Sequence, residues 1–121
     1  MPSPSLVDTA LAFRPQRTRE TERGDDGRAA IVVPKFNGKI LGKYLMPRLR
    51  QPNFLVRLDE VGSFTWDLCD GSLTGEGIAE RLAERFPDLV DPRGRAAIFL
   101  RQLLGQGHVI AVRPRESDPN N

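Results

Sequence analysis

A series of chain breaks in the second half of the sequence sets the length of everything between them. Asp70-Gly71, Pro87, Asp91-Pro92 and the glycines Gly105 and Gly107 divide the chain after Gly62 into three short helical stretches. The first is expected from Gly62 to Cys69, with Phe64, Trp66 and Leu68 among its apolar residues and Gly71 able to take the left-handed stop conformation. The second starts at Thr74, a good N-cap, places Glu76 near the positive helix end, and repeats Ile78, Leu82 and Phe86 every four residues until Pro87 halts it. The third opens with Asp91 as cap and Pro92 at the first helical position. It carries Ala96, Phe99, Leu100, Leu103 and Leu104 to Gly105.

Strand signals flank these helices. Ala29-Ala30-Ile31-Val32-Val33 is a short β-rich run closed by Pro34, whose missing N–H predicts an edge or an end of a sheet. Asn53 to Leu58 reads as a second strand, with Phe54, Val56 and Leu58 on one face and Leu55 and Arg57 on the other. Apolar residues on both faces predict cover on both sides. His108 to Val112 reads as a terminal strand or wing, and Asn37 to Arg50 as a turn and a short basic helical piece interrupted by Gly38, Gly42 and Pro47.

Residues 1–28 hold Pro2, Pro4, Pro15 and a mixed-charge run without hydrophobic periodicity, so they are expected to form a flexible arm. Residues 113–121 are expected to be an equally loose tail. The order of elements in 29–112 predicts an α+β fold that is winged helix-turn-helix-like, a short antiparallel β-sheet of about three strands packed on three α-helices. Phe54, Trp66, Leu68, Ile78, Leu82, Phe86, Phe99 and Leu103 are the expected core.

With 121 residues there is room for one such domain. No stretch approaches the roughly 18 to 20 apolar residues of a membrane span, and no secretory signal opens the chain, so a cytoplasmic protein without membrane contact is expected. The single Cys69 and single His108 have no neighbours at metal-ligand spacing, and no nucleophile and base fall together. A zinc site, a cofactor and independent catalysis are therefore not expected. Charge is unevenly spread: Lys35, Lys39, Lys43, Arg48, Arg50 and Arg57 lie between Ala29 and Leu58 with no acid among them. That basic stretch suits an acidic peptide, nucleic acid or an anionic surface, or else only keeps an edge region soluble.

Leu58-Asp59-Glu60-Val61-Gly62, Trp66-Asp67-Leu68-Cys69-Asp70-Gly71, the Thr74-initiated helix with Ile78 and Phe86, and Phe99-Leu100-Arg101-Gln102-Leu103 followed by Gly107-His108-Val109-Ile110 form an ordered set. The set resembles the PqqD-like proteins, also called RiPP recognition elements. The resemblance implies three strands on three helices, no chemistry of its own, and a leader peptide added as a further strand beside the third strand and bounded by the third helix. It also implies a separate or fused modifying enzyme as partner, often a radical SAM protein. In place of the family's hairpin of strands one and two, this sequence has the irregular basic segment Lys35 to Gln51, which leaves the second strand unplaced.

The expected peptide site is the strand Phe54, Leu55, Val56, Arg57 and Leu58, with Arg57 for an acidic peptide side chain and Leu55 for an apolar one. Its opposite wall is Arg95, Ile98 and Gln102, spaced three and four apart beside the Phe99 and Leu103 core face. The bland reading makes Ile98 core and Arg95 merely solvated. Trp66 and Cys69 read as packing residues, and Asp59, Glu60, Asp67 and Asp70 as caps and solvated acids. The main rival function is winged-helix nucleic-acid binding, weakened by Glu76, Glu80 and Glu84 on the second helix; a regulatory protein-interaction domain is another.

Overall fold

The computed structural model describes residues 5–34 and 54–112. In chain order these form α1 (Leu6–Ala10), β1 (Arg14–Arg17), β2 (Glu20–Arg23), β3 (Ala29–Val33), β4 (Phe54–Arg57), α2 (Glu60–Asp67), α3 (Gly75–Arg85), α4 (Pro92–Gly105) and β5 (Val109–Val112). The fold is α+β. A three-stranded antiparallel sheet in the order β2-β3-β4 contacts α2 through β3, with Ile31 in one core cluster with residues of all the helices, and a two-stranded sheet pairs β1 with β5. β5 is the strand expected at the end of the chain, but its partner is β1.

α3 and α4 begin at the predicted capping residues. Thr74 Oγ1 accepts the Gly77 N–H at 3.2 Å, and Asp91 Oδ1 accepts the Gly94 N–H at 3.1 Å. Each side-chain oxygen thereby satisfies a backbone donor that the helix itself cannot. α2 begins earlier than expected, because Asp59 caps it through the Gly62 N–H at 2.7 Å.

Two strand expectations need correction. β3 is the central strand, with β2 on one side and β4 on the other, and Ala29, Ala30 and Ile31 are buried. Pro34 lies just past its last ladder residue, so the missing N–H disturbs nothing. The second concerns β2 and β3, which form a hairpin within and just after the residues expected to be an arm. Its turn is closed by Gly24 N–H to Arg28 O at 3.0 Å and holds Gly27 at φ 83°, a left-handed conformation natural to glycine. The basic segment Lys35 to Gln51, including the helical piece expected in it, lies outside the described residues, between β3 and β4.

The expected arm over residues 1–28 is contradicted for residues 5–28, which contribute α1, β1 and β2. Leu11 is fully buried in the core, with Ala10 and Pro15 buried beside it along the chain. The carbonyls of Phe13 and Leu11 accept the N–H groups of Gly75 and Glu76 at 2.9 and 3.1 Å, so main chain from the amino-terminal segment completes the first turn of α3. At the other end, Arg17 donates from Nη1 to the carbonyls of Trp66 and Asp67 at 2.9 and 3.0 Å, setting a cation at the negative terminus of α2.

Trp66, Ile78, Leu82 and Leu103 are buried as expected, while Leu68, Phe86 and Phe99 pack against the core from partly buried positions. Phe54 is the exception, 55% exposed, and the expected two-sided cover of its strand fails with it. Leu11, Ile31, Leu100 and Val109 fill the core instead. The Trp66 indole N–H donates to Thr21 Oγ1 at 2.7 Å, joining α2 to β2 and satisfying the one polar atom of a buried ring.

Arg93 clasps α1 to the helices, donating to Asp8 Oδ1 at 2.8 Å and to both carboxylate oxygens of Glu76. The Arg93 guanidinium is the main reason that both carboxyls titrate below their ordinary values of 3.8 and 4.5, helped at Asp8 by the Ser5 backbone. A carboxyl whose folded value is depressed stabilises above its unfolded value and loses that contribution as pH falls through the folded one. We expect the protection of α1 amides, taken relative to their intrinsic exchange rate at each pH, to fall as pH drops below about 4, and Arg93→Ala to show that lower protection already at neutral pH; hydrogen-exchange NMR reads both.

Candidate functional site: a groove between the outer strand and the last helix

β4 pairs with β3 alone among the described residues. Its register is fixed by Ile31 opposite Val56 and Val32 opposite Leu55. Leu58 N–H donates to Ala29 O at 3.0 Å, which marks Leu58 and Ala29 as a hydrogen-bonded pair. Antiparallel ladders alternate, so Val56 also turns its main chain toward β3 while Leu55 and Arg57 turn theirs away. The outward row thus offers an N–H and a C=O at Leu55 and again at Arg57.

Beside the carboxyl end of this strand lies a groove of about 590 Å³. Arg57, Leu58 and Asp59 form one lip, and Arg95, Ile98 and Gln102 of α4 form the other. Phe99, Val61 and Leu82 supply an apolar floor, and Gly62 adds no side chain to it. A Cβ at Gly62 would stand 3.6 Å from Phe99 Cζ and 3.5 Å from Leu58 Cβ, so any larger side chain at that position projects into the space the glycine leaves.

Of the eight residues expected to bind peptide, five line this groove: Arg57, Leu58, Arg95, Ile98 and Gln102. Phe54, Leu55 and Val56 lie further back along β4, outside the lining. Phe54 and Val56 share a face with Leu58 and expose 55% and 40% of their surface, which adds apolar area upstream of the groove. Ile98 is 60% exposed on α4 and therefore is not a core residue, and Arg95 is exposed beside it. The residues that sequence reasoning left out of the site are Asp59, Val61, Gly62, Thr65, Leu82 and Phe99. Phe99 was assigned to the core face that adjoins the Arg95, Ile98 and Gln102 stripe, and it packs against the core while also lining the groove.

Chemistry is sparse here. The Asp59 carboxylate in the lip is occupied in capping α2, and Thr65 Oγ1 donates to Val61 O at 2.9 Å. Cys69 is buried on the far end of α2, donates to Thr65 O at 3.3 Å, and has its thiol pushed up to about 12, first by burial. Burial of this kind disfavours the thiolate and suits the side chain to packing. His108 is buried with its Nδ1 accepting from Arg19 Nε at 3.4 Å, and burial, aided by that arginine, lowers its pKa. Among the described residues no group of three or more His, Cys, Asp and Glu side chains is placed to hold a metal ion, and no helix is long and apolar enough to cross a membrane.

The architecture is that of a small α+β domain with an outer strand and a helix facing each other across a mostly apolar groove. A family model described as "Coenzyme PQQ synthesis protein D (PqqD)" matches residues 46–109, more than half of the chain. The chain belongs to the PqqD family, and so to accessory proteins of coenzyme PQQ and related peptide-derived product biosynthesis. The matched region contains β4, α2, α3 and α4, while β1, β2 and β3 precede it. No curated protein and no solved structure matches the chain.

Proposed function

We propose that this protein holds the leader segment of a ribosomally made precursor peptide and presents it to a modifying enzyme, a radical SAM protein or another maturase, without doing chemistry itself. The observation that carries this reading is the outward main-chain row of Leu55 and Arg57 on a strand flanked by β3 alone among the described residues, next to the α4 groove. A peptide laid along β4 pairs its backbone with that row, and its alternate side chains reach toward Leu58, Ile98 and Phe99. Affinity then comes largely from main-chain hydrogen bonds, and choice of sequence from the groove.

The nucleic-acid reading has weaker support. The exposed face of α3 mixes Glu80 and Glu84 with Arg81 and Arg85, and Arg85 turns to Glu60 at 3.5 Å, so this helix presents no net positive face to a phosphate backbone. A salt-dependent gel shift on DNA at submicromolar protein would restore that reading.

The direct test is titration calorimetry with a synthetic leader of a candidate precursor peptide. Arg57→Glu and Ile98→Glu are each expected to weaken binding by about tenfold or more, with melting temperature near wild type because both side chains are exposed. Unchanged affinity in both variants removes the groove from the reading.

A further inference from the structure

We propose that the segment held in this groove is acidic: an extended stretch in which a large apolar side chain seated over Ile98 and Phe99 is flanked by carboxylates that meet Arg95 and Arg101. The proposal rests on the peptide-binding reading above and adds the chemistry of the occupant. α4 runs Pro-Arg-Gly-Arg-Ala-Ala-Ile-Phe-Leu-Arg-Gln-Leu-Leu-Gly and contains no acidic residue. Its arginines are used unequally. Arg93 is committed to Asp8 and Glu76, whereas Arg95 and Arg101 are exposed and form no ion pair among the described residues.

Arg95 lines the groove, and Arg101 borders the adjoining hollow with Ile98 and Gln102. Arg57 on the opposite lip is likewise exposed and without an ion-pair partner among the described residues. The one acid in the lining, Asp59, has an oxygen turned to the Gly62 N–H. The apolar floor is thus bordered by three arginines that form no ion pair among the described residues, against the single carboxylate of Asp59. The exposed face of α3 shows the contrast, since its glutamates and arginines alternate and offset one another. A rim that served only solubility needs no such imbalance.

The apolar floor and the neighbouring main-chain donors of β4 favour a peptide over a polynucleotide, for which a bare basic surface suffices. Carboxylates brought against Arg95 and Arg101 beside an added strand lose part of their screening water, so their loss is expected to weaken binding by about tenfold.

The test uses the full chain and short fluorescent peptides of one design: a leucine flanked by glutamates, the same peptide with glutamines, the same with lysines, and the glutamate peptide with serine in place of leucine. The glutamate-leucine peptide is expected to bind about tenfold or more tightly than the glutamine and serine versions, and the lysine version not to bind. The double variant Arg95→Glu with Arg101→Glu should reverse the order, favouring lysines, at an unchanged melting temperature. Equal binding of glutamate and glutamine peptides overturns the acidic requirement. It leaves the peptide site standing if amide shifts still map to Leu55, Arg57 and Ile98. Shifts at none of these positions with any peptide overturn both readings. Displacement of the glutamate peptide by a DNA duplex at equal concentration also overturns the proposal, in favour of a polynucleotide.

Discussion

Leu11→Ala is expected to cost about 2 to 5 kcal/mol of folding stability, as a fully buried leucine does when its space cannot collapse. For a domain of this size that lowers the melting temperature by roughly 10 to 25 °C, readable by circular dichroism. The prediction has force because residues 1–28 look unstructured by composition, and a loose arm would tolerate the change without effect. Gly75→Ala attacks the same contact from the other side: a Cβ there would stand 2.6 Å from Leu11 Cα and 3.0 Å from Leu11 O, and the backbone cannot yield as a flexible side chain does. Overpacking of this kind costs about 1 to 3 kcal/mol. Leu11 Cδ2 would also stand 2.9 Å from that Cβ and is removed by Leu11→Ala, so the double variant should lose less than the sum of the single ones. A Leu11→Ala protein that melts within about 2 °C of wild type would show that the amino-terminal segment is not part of the packed unit.

The helices were legible because their punctuation is written in side chains. Thr74 and Asp91 each cap a helix through their own oxygens, and Pro92 and Gly71 act through backbone preferences of the residues themselves, whereas the Asp59 cap was not read as the start of α2. β1 and β2 have no such mark. Arg14-Pro15-Gln16-Arg17 is held by main-chain pairing with β5 and by the Cys69 carbonyl, and Glu20-Thr21-Glu22-Arg23 is exposed at every position. A strand with no buried face carries no alternation to read. Of the two places left open for β3, an edge or an end, the edge fails because its second neighbour was invisible, while Pro34 does stand just past the strand's last residue.

The groove was partly legible for a related reason. Arg95, Ile98 and Gln102 form a stripe that helical spacing shows, and the strand at Leu58 could be read from its apolar pattern. Whether Phe99 faces the core or the groove is set by how far α4 stands from β4, and no local pattern encodes that distance. Phe54 was misjudged for the same reason. Its position on the core-facing side of β4 is correct in register with Leu58, but the cover that buries Ile31 stops short of it.

Leu55→Pro should abolish most peptide binding, by about a hundredfold, while Val56→Pro should mainly unfold the sheet. The two positions are adjacent, and the difference lies in which way each N–H points. Leu55 turns its N–H away from β3, where a proline on an outer strand takes nothing from the existing ladder. The added peptide, however, would lose a donor, keep an unsatisfied carbonyl and meet a ring, and a buried group left unpaired costs about 1 to 3 kcal/mol. Val56 donates inward to β3, so proline there breaks the pairing with Ile31, whose side chain is fully buried. Thermal melts and calorimetry on the two variants separate the roles: weak binding with a nearly unchanged melt at Leu55, and a lowered melt at Val56. Binding that survives Leu55→Pro intact would mean that the peptide does not join β4 through its main chain, whatever the α4 groove contributes.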